Sequence, residues 1–117
     1  MNTTHPTAHP VSFQILAVAL ELIEHLRAPV QRLQTHDSDL ARQLRRAASS
    51  VPLNLSEGNR RAGKDRRHLF RVAAGSAAQF QTCLLVALAW GYFEPALVQE
   101  ALTRVDRVLA MTHALTR

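Results

Sequence analysis

Leu40, Leu44, Ala47, Val51 and Leu55 recur at spacings of three and four, the period of one helix face. Arg42, Arg45, Arg46 and Ser49 fall on the opposite side. The stretch Gln43 to Gly58, QLRRAASSVPLNLSEG, therefore predicts one amphipathic helix with Pro52 near its middle, stopped by Gly58. A chain built round this helix must cover its apolar face and find a use for its arginine-rich back. Leu53 is the exception within it. At about 100° per residue it lies roughly 180° from Leu44, among the arginines, so something else is expected to cover part of that polar side.

The rest of the chain supplies the partners. Residues 1–10, MNTTHPTAHP, are polar with two prolines and read as a disordered leader. Its histidines, His5 and His9, form no convincing metal site. Residues 11–117 read as one domain of four helices. Ser12 is the expected N-cap of the first, which runs to about Gln34 with Pro29 as a kink. Its apolar stripe is Phe13, Leu16, Leu20, Ile23, Leu26, Val30 and Leu33, widened by Ile15, Val18 and Leu22. Glu21 and His25, one turn apart, are expected to pair. A turn at Thr35 to Asp39 leads into the second helix, Ser38 to Glu57.

A basic loop, Asn59 to Lys64, follows, with Asp65 as the expected cap of a third helix reaching Trp90. Leu69, Phe70, Ala73, Ala77, Phe80, Leu84 and Leu88 make its core face; Val72, Val86 and Trp90 point elsewhere. A helix apolar nearly all round is buried on more than one side, which a four-helix monomer of 117 residues cannot provide. Oligomerisation is the expectation, with Leu53, Val72, Val86 and Trp90 at the interface. Gly91 ends this helix. Glu94 and Pro95 start a fourth, to about Ala114, with Val98, Ala101, Leu102, Val105, Leu109 and Thr112 inward and Arg104, Asp106 and Arg107 outward. Helices of this length with short connections predict an all-α, antiparallel up-and-down bundle.

Charge is unevenly spread. The formal net charge is +5, and Lys64 is the only lysine. Between Arg42 and Arg71, nine basic residues (Arg42, Arg45, Arg46, Arg60, Arg61, Lys64, Arg66, Arg67, Arg71) face two acidic ones, Glu57 and Asp65, a net of +7 that leaves about −2 for the remainder. An anionic partner such as RNA or DNA is one reading. A solvated face balanced by carboxylates on a neighbour is the other. Aromatics are only 5%, which disfavours base stacking on a single strand. The single cysteine, Cys83, allows no intrachain disulfide. No secretory signal and no apolar run of about 20 residues is visible, so a cytoplasmic protein without membrane contact is expected.

Catalytic and metal motifs are sparse. A di-iron bundle needs two Glu-x-x-His helices, whereas Asp65 and His68 give one such spacing. No zinc spacing or phosphate-binding glycine loop occurs, and Cys83 reads as core packing. Arg61 and His68 stand at the spacing of the helical HEPN-type ribonucleases, in which a histidine acts on the ribose hydroxyl and an arginine holds the phosphate. Gly63 breaks the helix between them. Glu57 reads as the acid of a structural ion pair with Arg60 or Arg61.

QLRRAASSVPLNLSEGNR (residues 43–60), Phe70, AAGSAAQF (73–80) and AWGYF (89–93) together resemble the bacterial four helix bundle protein family. That family includes proteins encoded in intervening sequences of 23S ribosomal RNA genes and the accessory variability proteins of diversity-generating retroelements. The similarity spans roughly Leu16 to Leu109. Leu44, Arg45, Arg46, Ala47 and Ala48 match the start of the main motif, and Asn54, Glu57 and Gly58 its end; Ser56 stands where alanine is commoner. The resemblance implies a ring-shaped homopentamer of four-helix protomers. It also implies a non-enzymatic role and, for the retroelement branch, binding to nucleic acid and a reverse transcriptase; on the residues themselves no cofactor or metal is expected.

Overall fold

A computed structural model describes the backbone of residues 10–116 and the side chains from residue 14 onward. The expected leader therefore lies almost wholly outside the described residues. Four helices make up the structure: α1 (Pro10–His36), α2 (Ser38–Asn59), α3 (Gly63–Ala89) and α4 (Pro95–Thr116), with no strand among the described residues. Each helix packs on its chain neighbours and α1 closes on α4, while the backbones of the diagonal pairs stay apart across a shared core. That is the arrangement of a four-helix bundle, set by connections of one, three and five residues.

The connections show why the chain turns where it does. A single residue, Asp37, separates α1 from α2; its carboxylate accepts a 2.9 Å bond from the Leu40 N–H, satisfying an otherwise orphaned donor of the first turn. At the other end, Gly91 adopts φ +79°, its N–H bonds Leu88 O and the Tyr92 N–H bonds Ala87 O. This is the paired C-terminal closure that glycine permits. Tyr92 then stacks between His36 and Trp90, with centroids 6.0 and 6.4 Å away, tying the end of α1 to the turn before α4.

Several local expectations are corrected. Helix α1 begins at Pro10, so Ser12 lies inside it rather than capping it. Its buried face is Ile15, Val18, Ala19, Leu22 and Leu26, whereas Leu20 is 47% exposed and Leu16 half-buried. In so broadly apolar a helix, the positions of α2 and α4 select the core face. Glu21 accepts from Arg104 Nη1 of α4 at 3.3 Å instead of pairing with His25. Arg104 is thus turned toward α1 and half-buried, not simply outward. Asp65 does not cap α3; Ala62 occupies that position without a side-chain bond, and Gly63 takes φ +61° to start the helix.

Gly58 is the most informative correction. Helix α2 continues past it to Asn59, and Gly58 is buried. A Cβ there would lie 2.6 Å from Phe70 Cε1 and 2.8 Å from Cδ1, closer than packed carbons tolerate. Glycine is present for close packing of α2 on α3, not for helix termination.

Phe70 and Phe80 fill the core at 0% and 1% exposure, in one buried cluster with Leu44, Leu55 and Leu84. In the run of small residues, Ala73, Ala74 and Ala77 are buried and Gly75 and Ala78 face outward. By length and mean hydropathy (1.5 over 18 residues) α3 is apolar enough to cross a bilayer. It instead packs between α2 and α4, bonding Ser50 through Ser76 and Asp106 through Gln81. Its remaining apolarity is displayed: Val72, Leu85, Val86 and Trp90 are 36%, 47%, 37% and 70% exposed, and Leu53 on α2 is 68% exposed.

Candidate nucleic-acid interface

The bundle splits the basic segment in two. Arg42, Arg45 and Arg46 lie near the start of α2; Arg60, Arg61, Lys64, Arg66, Arg67 and Arg71 cluster around the α2–α3 turn. At a rise of about 1.5 Å per residue, and with Ser50 level with Ser76, roughly 14 Å (Arg46 to Arg71) to 21 Å (Arg46 to Arg60) of helix separates the groups. One continuous basic surface is therefore not what the fold makes.

Within the first group, Arg42 pairs with Asp39 at 3.1 Å and Arg45 donates to Gln34 Oε1 of α1 at 2.5 Å. Arg46 makes no ion pair among the described residues. It borders an open groove between α2 and α3, lined also by Gln43, Ala47, Ser50, Ser76 and Gln79.

In the second group, Arg61 binds Glu57 through Nη2 at 2.8 Å and Nε at 2.9 Å. This is the structural pair expected of Glu57, and with both side chains at least 40% exposed it contributes at most about 1 kcal/mol. Arg66 is turned inward: its guanidinium lies 4.7 Å from the Phe70 ring centroid and Nη1 donates to Gly58 O at 3.3 Å. It locks the α2–α3 corner. Arg60 and Lys64 are exposed, Arg67 is half-buried and Arg71 exposed. Lys64, Arg67 and Arg71 are three and four residues apart, so they share the solvent face of α3. Beside Arg60 they form a cationic end of the bundle.

Arg61 and His68 sit on different elements, the connection and the second turn of α3, and Arg61 is held by Glu57. Among the described residues no three His, Cys, Asp or Glu side chains come together as a metal site. The expected interface residues Leu53, Val72, Val86 and Trp90 are all exposed. In the antiparallel register set by the Ser50–Ser76 bond, Leu53 is level with Ala73, next to Val72, so Leu53 and Val72 flank one α2–α3 seam. What the sequence did not disclose is the polar set in that seam, Ser50, Asn54, Ser76 and the two glutamines. Ser76 is hidden within AAGSAA, where small size suggested packing alone.

The fold and its charge define a basic all-α four-helix protein. A family model described as 23S rRNA-intervening sequence protein matches residues 12–114, nearly the whole chain, and the chain belongs to that family. Among curated proteins none matches it.

Proposed function

We propose that this chain is a non-enzymatic, homo-oligomeric adaptor that binds nucleic acid through phosphate contacts. The observation that carries the reading is the cationic end formed by Arg60, Lys64, Arg67 and Arg71, in a segment whose acidic residues between Arg42 and Arg71 are Glu57, already held by Arg61, and Asp65. Arginine forks match phosphate geometry. Because no exposed Phe, Tyr or Trp lies among these cations within the described residues of α2 and α3 around the turn, contacts to phosphate dominate, and binding is weakly sequence-specific and steeply salt-dependent. Membership of a family named for a ribosomal RNA intervening sequence agrees with such a partner.

Self-association accompanies this role. Leu53, Val72, Val86 and Trp90 expose a mixed apolar seam, and large exposed apolar patches mark interaction sites. A ring of protomers, a pentamer by the family resemblance, would bring several cationic ends together and multiply weak phosphate contacts.

Fluorescence anisotropy with RNA and DNA at low salt tests the reading. Replacing Arg60, Lys64, Arg67 and Arg71 by alanine lowers the slope of log affinity against log salt by roughly one for each phosphate-binding cation removed without unfolding the bundle. Absence of any nucleic-acid affinity at low salt refutes it. A purely structural module, whose arginines meet carboxylates of other protomers, is favoured if light scattering shows the assembly dissociating at high salt.

A further inference from the structure

The groove between α2 and α3 holds a set of hydrogen-bond donors with no anion to balance them. Asn54 Nδ2 donates to Ser50 O at 2.8 Å and to Ser50 Oγ at 2.9 Å. A backbone carbonyl only accepts, so the amide's NH2 faces Ser50 and the Ser50 hydroxyl is an acceptor there. Ser50 Oγ and Ser76 Oγ are 2.7 Å apart. One of their two hydroxyl protons lies in that bond, and the other has no acceptor among the described residues. The groove therefore presents a spare hydroxyl donor.

Around it stand Arg46 and the carboxamides of Gln43 and Gln79, with Ala47 leaving room between them. No Asp or Glu occurs in α2 between Asp39 and Glu57, nor in α3 after Asp65. Arg46 is the sole charged group lining the groove among the described residues. A fork-shaped cation, two hydroxyls and two primary amides among the residues lining one open space match a tetrahedral oxyanion with several acceptor oxygens.

We propose that this groove is a phosphate subsite, with Arg46 holding the charge and the Ser50–Ser76 hydroxyl pair and Gln79 orienting the oxygens. It rests on the nucleic-acid reading for its natural occupant, a phosphodiester of the bound strand, and places a second contact point well away from the cationic end.

The test uses the full chain and inorganic phosphate, against chloride at matched ionic strength, followed by thermal melting and by NMR shifts of Arg46 Nε and the Ser76 and Gln79 amides. Phosphate is expected to raise the melting temperature and shift those signals. Arg46→Gln is expected to weaken phosphate binding by about tenfold or more, the weight of one charge-assisted contact, with Thr103→Ala on α4 as an unaffected control. Equal behaviour in phosphate and chloride, or full retention of phosphate binding by Arg46→Gln, overturns the subsite. A short oligonucleotide separates the two readings. If wild type binds it and Arg46→Gln binds it with the same affinity and salt slope, the subsite fails and the nucleic-acid reading stands. If wild type binds phosphate but no oligonucleotide, the groove stands as a small-anion site and the nucleic-acid reading fails.

Discussion

Replacing Gly58 by alanine sets two known effects against each other at the corner that carries the basic turn. In a helix the exchange ordinarily stabilises by about 1 kcal/mol. Here the new methyl would sit 2.6 Å from Phe70 Cε1, 2.8 Å from Cδ1 and 3.4 Å from Leu69 Cβ. The ring contact is roughly 1 Å inside ordinary packing distance. Phe70 is 0% exposed and lies under the Arg66 guanidinium, so the ring cannot move without displacing core side chains. Overpacking of this kind costs about 1–3 kcal/mol, and the near-complete confinement puts it at the upper end. A net loss of about 1–2 kcal/mol is expected, or about 4–8 °C in melting temperature for a domain of this size. Thermal unfolding should be followed by circular dichroism at one fixed protein concentration, since self-association would make the midpoint concentration-dependent. A double-mutant cycle with Phe70→Leu isolates the cause: in that background Gly58→Ala should become neutral or stabilising, a coupling of about 1–3 kcal/mol. A higher melting temperature for Gly58→Ala alone, or an equal loss in both backgrounds, would refute the close-packing explanation.

Three further outcomes follow from single groups. Asp37→Ala removes the side-chain bond to Leu40 N and should cost about 0.5–2 kcal/mol in denaturant melts, while Asp37→Asn should retain most of it. Cys83 is 5% exposed and burial pushes its thiol up; the native protein should react slowly with a thiol reagent and the unfolded protein at once. Because the folded value is raised, the neutral thiol's contribution is intact below the unfolded thiol's titration and is lost as pH climbs through the folded one. Cys83→Ser should flatten that alkaline loss in pH-dependent unfolding. Thr112 is 0% exposed and its hydroxyl donates to Val108 O at 2.6 Å. Since that carbonyl keeps its helical N–H partner, Thr112→Val should leave stability within about 1 kcal/mol, whereas a larger loss would mean the hydroxyl has a further role.

Four helices, their order and, to within about a turn, their limits were written in the local pattern of the chain. Leu40, Leu44, Val51 and Leu55 form a narrow stripe with arginines behind it, and there the sequence face and the buried face coincide. Gly91 before Tyr92 and Pro95 marked the α3–α4 turn because glycine and proline act on backbone geometry within a few residues. The family resemblance, carried by residues 43–60, agrees with the match over residues 12–114.

Only the tertiary structure decided matters that depend on what comes opposite. The core face of α1 is one such matter, because Ile15, Leu16, Val18, Leu20 and Leu22 are all apolar and packing alone chooses among them. Gly58 is another: its reason is the Phe70 ring twelve residues later, on the next helix. Arginines were equivalent in the sequence, yet the fold commits Arg66 to Phe70 and Gly58, Arg61 to Glu57 and Arg45 to Gln34, and leaves Arg46 facing a polar groove. Local pattern fixes which face of a helix is apolar; which side chains meet is a property of two helices in register, and no single stretch of chain contains it.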